Sequence, residues 1–247
     1  MKIKLFLSAA ICLSLSNTTL ANNVDLCVTK IKAELYTEAV PYCEKACNLN
    51  NGLDCGFLGA LYAEGKGVKQ NYQQAKTYYE KACNLNNGLL GCSGLGFLYA
   101  NGRGVRQNYQ QAKTYYEKAC NLNNGVSCGI LGGLFYKGQG VRQNYQQAKT
   151  YSEKACNLNY GLGCSLLGAL FYKGQGVRQN YQQAKTYYEK ACNLNEVAGC
   201  LGLGTLFHEG LGVRQDKRTA KEYYGKACDL GVQSGCDIYR ELNEQGY

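Results

Sequence analysis

The sequence predicts an all-α fold, a solenoid of antiparallel helix pairs stapled by disulfides. Three observations predict it. The segment Gln-Asn-Tyr-Gln-Gln-Ala-Lys-Thr-Tyr recurs at Gln70, Gln107, Gln143 and Gln179, with a degenerate copy at Gln215, a period of 37 once and 36 otherwise. Inside each copy the apolar residues recur at i+3, i+4 and i+7, the spacing of one helix face. The 247 residues include 15 cysteines, 31 glycines and 22 tyrosines against one proline, one histidine and no tryptophan. That usage is far from average, and a single histidine excludes hydrolysis by a histidine-held metal cluster.

Taken in order, the chain opens on a leader. Met1-Lys2-Ile3-Lys4 is basic, Leu5 to Leu15 is apolar but too short to span a bilayer, and Thr19-Leu20-Ala21 resembles a small-residue cleavage site. Residues 1–21 are therefore expected to be a signal peptide and the chain to be secreted or periplasmic. Cys12 follows Ile11, where lipid attachment would need a small residue. Removing the leader takes the formal charge from +9 to +7, through Lys2 and Lys4, and leaves 14 cysteines. An even count in an oxidising compartment points to pairing.

A shortened capping repeat is expected over 22–54. Five full units follow over 55–91, 92–127, 128–163, 164–199 and 200–235, each opening on a cysteine, and a half unit over 236–247 closes the array. Within a unit, Cys55, Leu58, Gly59 and Tyr62 mark the first helix, and Gly65-Lys66-Gly67-Val68 stops it, because glycine adopts the left-handed conformation past a helix end. Asn71 is an N-cap with Gln74 placed to complete a capping box, and the second helix runs from about Tyr72 to Asn84, ended by Asn86-Asn87-Gly88. Neither helix buries its apolar stripe without neighbours. In the capping repeat, Pro41 would break a second helix begun at the aligned position, Leu35; a start near Thr37 would put it near the first turn.

These residues resemble the tetratricopeptide pattern, with Leu58-Gly59-Ala60-Leu61-Tyr62 on the first helix and Ala75-Lys76-Thr77-Tyr78-Tyr79 on the second. The longer Gly-x-Gly-Val loop and Cys55 at the usual tryptophan position are features of Sel-one-like repeats. A Cys-x7-Cys pair in each unit looks like the secreted Helicobacter cysteine-rich proteins. The resemblance implies a right-handed α-solenoid. It also implies penicillin binding with weak β-lactamase (β-lactam hydrolase) activity as an alternative function.

The cysteine spacing has a geometric reading. Cys47 and Cys55, Cys120 and Cys128, Cys156 and Cys164, Cys192 and Cys200, and Cys228 and Cys236 are eight apart, and Cys83 and Cys92 nine. Eight residues on one helix span about 12 Å, beyond the roughly 7 Å reach of a bridge. The chain must reverse between them, so each bridge joins the second helix of one unit to the first helix of the next. Cys27 and Cys43 remain as a seventh pair. Zinc is the competing reading for the group Cys27, Cys43, Cys47 and Cys55.

No catalytic constellation is recognisable. Ser-x-x-Lys, Ser-Asp-Asn and Lys-Thr-Gly are absent, and Ser152-Glu153-Lys154 has the wrong spacing. The Gly-x-Gly runs lack the strand and the Gly-Lys-Ser/Thr of a phosphate loop. Lys69, Arg106, Arg142, Arg178 and Arg214 occupy one repeat position and form a basic rim suited to an anionic partner. Most tyrosines are expected to pack between units. The second helices are nearly identical, whereas the first helices vary. Phe57, Gly94, Ile130, Leu166 and Gly202 share one slot; Ala63, Ala100, Tyr136, Tyr172 and His208 share another, followed by Glu64, Asn101, Lys137, Lys173 and Glu209. The expectation is a binding module that holds a peptide, glycan, cell-wall fragment or protein partner on its concave face. Its contacts would be Tyr136, Lys137, Tyr172, Lys173, His208 and Glu209. It is expected to be a monomer, without cofactor, metal, nucleic acid or membrane span.

Overall fold

The computed structural model describes residues 26–247; the expected leader over 1–21, with Cys12, lies outside them. The chain divides after Leu122 into two compact units. In the first, residues 26–32 form α1. It is followed by α2 (Tyr36–Asn48), α3 (Gly52–Glu64), α4 (Tyr72–Asn84), a π-helical turn (Gly88–Cys92) running into α5 (Ser93–Asn101), and α6 (Tyr109–Asn121). In the second are α7 (Gly125–Lys137), α8 (Tyr145–Asn157), α9 (Gly161–Lys173), α10 (Tyr181–Asn193), α11 (Val197–Glu209), α12 (Lys217–Asp229) and α13 (Gln233–Glu244). The fold is all-α, with no strand among the described residues. Within each unit, successive helices from α2 onward pack on one another, and in the second unit first helices also touch, α7 with α9 and α9 with α11.

The second helices lie where the spacing puts them, and Asn71 Oδ1 accepts from the Gln73 and Gln74 amides at 3.0 and 3.1 Å. The expected capping box is replaced by a longer-range bond. The Asn71 N–H donates to the Tyr62 carbonyl at 2.8 Å, so Gln74 has no donor to reach back to. The same bond joins Asn108 to Tyr99, Asn144 to Phe135, Asn180 to Phe171 and Asp216 to Phe207, and closes each interhelix loop. First helices begin earlier than their cysteines: α3 starts at Gly52, because Asn51 accepts from the Leu53 and Asp54 amides.

The loop glycines do two jobs. Gly65, at φ 71°, ends α3 in the left-handed conformation. The second glycine is a contact point: a Cβ on Gly104 would meet Tyr72 Cβ at 2.4 Å, and one on Gly212 would meet Tyr181 Cβ at 2.5 Å. These loops thus seat on the head of the preceding second helix. Gln73 there donates to the Gly104 carbonyl, Gln146 to Gly176 and Gln182 to Gly212. At the other end, Asn50, Asn86, Asn159 and Asn195 take positive φ of 63, 60, 57 and 58° and reverse the chain.

Those reversals bring the cysteines together. Bridges join Cys27–Cys43, Cys47–Cys55, Cys83–Cys92, Cys156–Cys164, Cys192–Cys200 and Cys228–Cys236, with Cα separations from 4.5 to 4.9 Å. Cys120 and Cys128 are disulfide-bonded as well. The extra residue between Cys83 and Cys92 is taken up by the π turn, which keeps the bridge at 4.6 Å, against 4.7 Å for Cys47–Cys55. Pro41 lies inside α2, on its exposed side, and does not end the helix. An interior proline costs about 3 kcal/mol. Here the bridges from Cys43 and Cys47 hold the turns that follow it.

Candidate functional site

The variable first-helix positions fall into two physical classes. One slot belongs to packing. Cβ atoms on Gly94 and Gly202 would lie 2.7 Å from the rings of Tyr79 and Tyr188, both buried. In α8 the equivalent tyrosine is Ser152, and the matching slot holds Leu166: a Cβ on Gly132 would meet Ser152 Oγ at 2.5 Å and Leu166 Cδ2 at 3.4 Å. Small beside large and large beside small fill one volume, so this variation repacks the interior.

The other slot faces outward at the C-terminal ends of α7, α9 and α11. Tyr136 and Tyr172 are partly buried and meet Tyr145 and Tyr181 edge to face, with centroids 5.6 and 5.5 Å apart. Lys173 Nζ lies 3.1 Å from the Tyr136 hydroxyl and 5.8 Å from its ring centroid, a contact between consecutive repeats. His208 sits edge-on to Tyr224 at 6.4 Å and its Nε2 is 4.0 Å from a Glu209 oxygen. Lys137 is exposed. Beneath them the Tyr188 hydroxyl is pushed up in pKa by burial, with Tyr172 and Tyr136 beside it. Burial also raises Tyr224, opposed by a hydrogen bond with Thr205. The structure therefore joins Tyr136 with Lys173, and His208 with Glu209, around two buried phenols.

The basic rim residues Lys69, Arg106, Arg142, Arg178 and Arg214 are all exposed, and none makes an ion pair among the described residues. By contrast Lys76, Lys113, Lys149 and Lys185 each pair with the glutamate four residues on. In the first unit two cavities open beside the rim. One of about 430 Å³ is lined by Tyr62, Val68, Lys69, Gln70, Asn71 and Gln74. One of about 510 Å³ is lined by the equivalents Tyr99, Val105, Arg106, Gln107, Asn108 and Gln111. Sequence reasoning found the cations but not the cavities. The available signal was that Gln74 and Gln111 recur unchanged although exposed.

Asp54 was also missed. It is fully buried at the start of α3, both its oxygens lack a partner, and they lie within 4.8 Å of the Cys27 and Cys43 sulfurs. Burial pushes its carboxyl up from 3.8 to about 6, against the pull of its own backbone N–H. Zinc does not fit the group Cys27, Cys43, Cys47 and Cys55, since all four sulfurs are committed to bridges and offer no thiolate.

Comparison with known proteins agrees with this architecture. The model of the Sel1 repeat family matches residues 55–87, 90–124, 127–160, 161–196 and 197–232. A segment of 45 residues is 47% identical to the beta-lactamase HcpA of Helicobacter pylori, covering 18% of this chain and 18% of that protein. A protective antigen of uropathogenic Escherichia coli strains, described as displaying an SLR fold, superposes with a TM-score of 0.81 at 26% identity. The match covers 95% of this chain, which spans half the length of that one. The cysteine-rich protein B of Helicobacter pylori matches at 36% identity over 56% of this chain and 99% of its own, with a TM-score of 0.45. Sel1 repeat proteins bind protein partners. The bridges suit an extracellular or periplasmic setting, and no helix among the described residues is long and apolar enough to cross a membrane. With five copies of its repeat covering most of the sequence, the chain belongs to the Sel1 repeat family.

Proposed function

We propose that this protein is an exported interaction scaffold that holds a peptide segment of a protein partner on the face made by the C-terminal ends of α7, α9 and α11, with the basic rim assisting. A glycan or a cell-wall fragment is the alternative occupant. One observation carries the reading: beside the variation that packing absorbs, equivalent positions of a nearly invariant, cross-linked framework change what the chain presents outward, namely Tyr136 with Lys137, Tyr172 with Lys173 and His208 with Glu209. Aromatic rings beside mobile charges give contact area together with hydrogen-bonding choice, the composition of binding surfaces. Contact between successive first helices, as on the inner side of a curve, supports taking this face as the concave one.

The test is capture by immobilised, oxidised protein from peptide, host-protein and cell-wall fragment pools. A variant with alanine at all six positions is expected to lose the captured partner while keeping its helicity. Retention by that variant would overturn the reading. Weak β-lactam hydrolysis gains no residue from the structure: Ser152 is buried and its Oγ has no hydrogen-bond partner to act as base. A chromogenic cephalosporin is expected to turn over no faster than a mock-purified control.

A further inference from the structure

We propose that the cavities at Lys69 and Arg106 are carboxylate pockets, which take successive acidic side chains of an extended peptide segment of the partner. The inference names a ligand class for the scaffold proposed above and rests on that reading.

Each pocket presents one unneutralised cation and several uncommitted donors. Lys69 and Arg106 have no acidic partner among the described residues, and neither lining contains an aspartate or glutamate. Asn71 and Asn108 spend their side-chain oxygens on capping α4 and α6, which leaves their amide nitrogens free to donate. The Gln74 and Gln111 amides and the Tyr62 and Tyr99 hydroxyls make no hydrogen bond among the described residues. Gln70 and Gln107 are different. Their amides donate to the Ala63 and Ala100 carbonyls at 2.9 and 2.8 Å, so they are fixed wall rather than ligand.

The donor set selects the anion. One monovalent cation with neutral amide and phenol donors matches the single charge of a carboxylate, whereas a phosphate dianion would leave charge unmatched. Val68 and Val105 add an apolar side for the methylenes of a glutamate. The same set one repeat apart selects acids that recur along a chain, and a pair of weak sites on one ligand gains from effective concentration. The downstream units carry Phe135, Phe171 and Phe207 in place of the two tyrosines, so the phenol donor is confined to the first two full repeats.

Fluorescence anisotropy with labelled octaglutamate tests the proposal, with octaglutamine and a charge-matched oligogalacturonate alongside. Octaglutamate is expected to bind with an affinity that falls as salt rises. Lys69→Glu with Arg106→Glu should weaken it about tenfold or more, and Tyr62→Phe with Tyr99→Phe about threefold, at unchanged helicity. Arg178→Glu with Arg214→Glu makes the same change in net charge and should cost less than about twofold. Equal losses from the two charge-reversed pairs would reduce the effect to general attraction and overturn the pockets. Tighter binding of oligogalacturonate than of octaglutamate would overturn the peptide assignment. The variant altered at the six positions on α7, α9 and α11 should keep octaglutamate binding, so the two proposals fail separately.

Discussion

Replacing Asp54 by asparagine tests whether a buried carboxyl makes the N-terminal end of the first unit sensitive to pH. The carboxyl is fully buried, its oxygens are unpartnered, and the nearest potential ligand atoms are sulfurs already joined in a bridge. Its pKa rises from 3.8 in the unfolded chain to about 6 in the folded one. Between those values the folded state holds a proton that the unfolded state has released, so stability falls as pH rises and levels off above the folded pKa. Roughly two decades at ~1.4 kcal/mol each amount to ~3 kcal/mol, a factor of about 100 in a local opening equilibrium. Stability in a repeat array is local, so a global melt would dilute the effect. Native-state hydrogen exchange of α2 and α3, corrected for intrinsic rates, resolves it. Between pH 3.5 and 7.5 the wild type should lose about 100-fold in protection there, and Asp54→Asn should lose little, with α10 to α12 alike in both proteins. A loss of the same size in Asp54→Asn, or none in the wild type, would refute the assignment.

The glycine before Cys164 predicts a contrast with one in the open interior of α7. Gly163→Ala puts a Cβ 2.5 Å from Ala155 Cβ and 2.8 Å from the Cys156 nitrogen, and should cost about 1–3 kcal/mol in a thermal melt. Gly133→Ala, in the interior of α7 with nothing within 4 Å, should gain about 1 kcal/mol. Ser152→Tyr and Leu166→Gly should each destabilise alone and offset one another when combined, with a coupling of about 1–3 kcal/mol in a double-mutant cycle. Removing the Cys156–Cys164 bridge with paired serines should cost about 2.5 kcal/mol, the chain entropy of its short loop, read as a lower denaturation midpoint.

Much of the fold was legible because each repeat states its rules several times over. The bounds of the second helix follow from Asn71 and the alternation of Ala75, Tyr79 and Ala82, all local information that recurs nearly unchanged. What escaped was set by contacts across the sequence. The Asn71 amide bonds Tyr62 rather than the nearby Gln74, because the interhelix loop returns the chain to the end of the first helix. Pro41 remains in α2 because bridges fix the segment that follows it, and a propensity scale does not contain them.

The same distinction decides how variation among repeats translates into function. Comparing copies within one chain correctly separates a constant framework from changing positions, yet it assigns no direction to them. Gly94, Leu166 and Gly202 vary because their neighbours across the interface are Tyr79, Ser152 and Tyr188, so their differences cancel in the interior. Tyr136, Tyr172 and His208 vary at partly buried positions near the helix ends, and what they alter is the surface. Gln74 and Gln111 show the converse. The position keeps glutamine in four copies and changes only at Thr219, and Gln74 and Gln111 are exposed with side-chain amides that the cap and the loop leave unused. In a repeat protein an exposed invariant with no structural employment is as informative as a variable one, because neighbouring copies then offer the same donor at a regular interval. A partner able to exploit that regularity must itself carry recurring acceptors, which is why the first unit suits a chain of acids rather than a single small ligand.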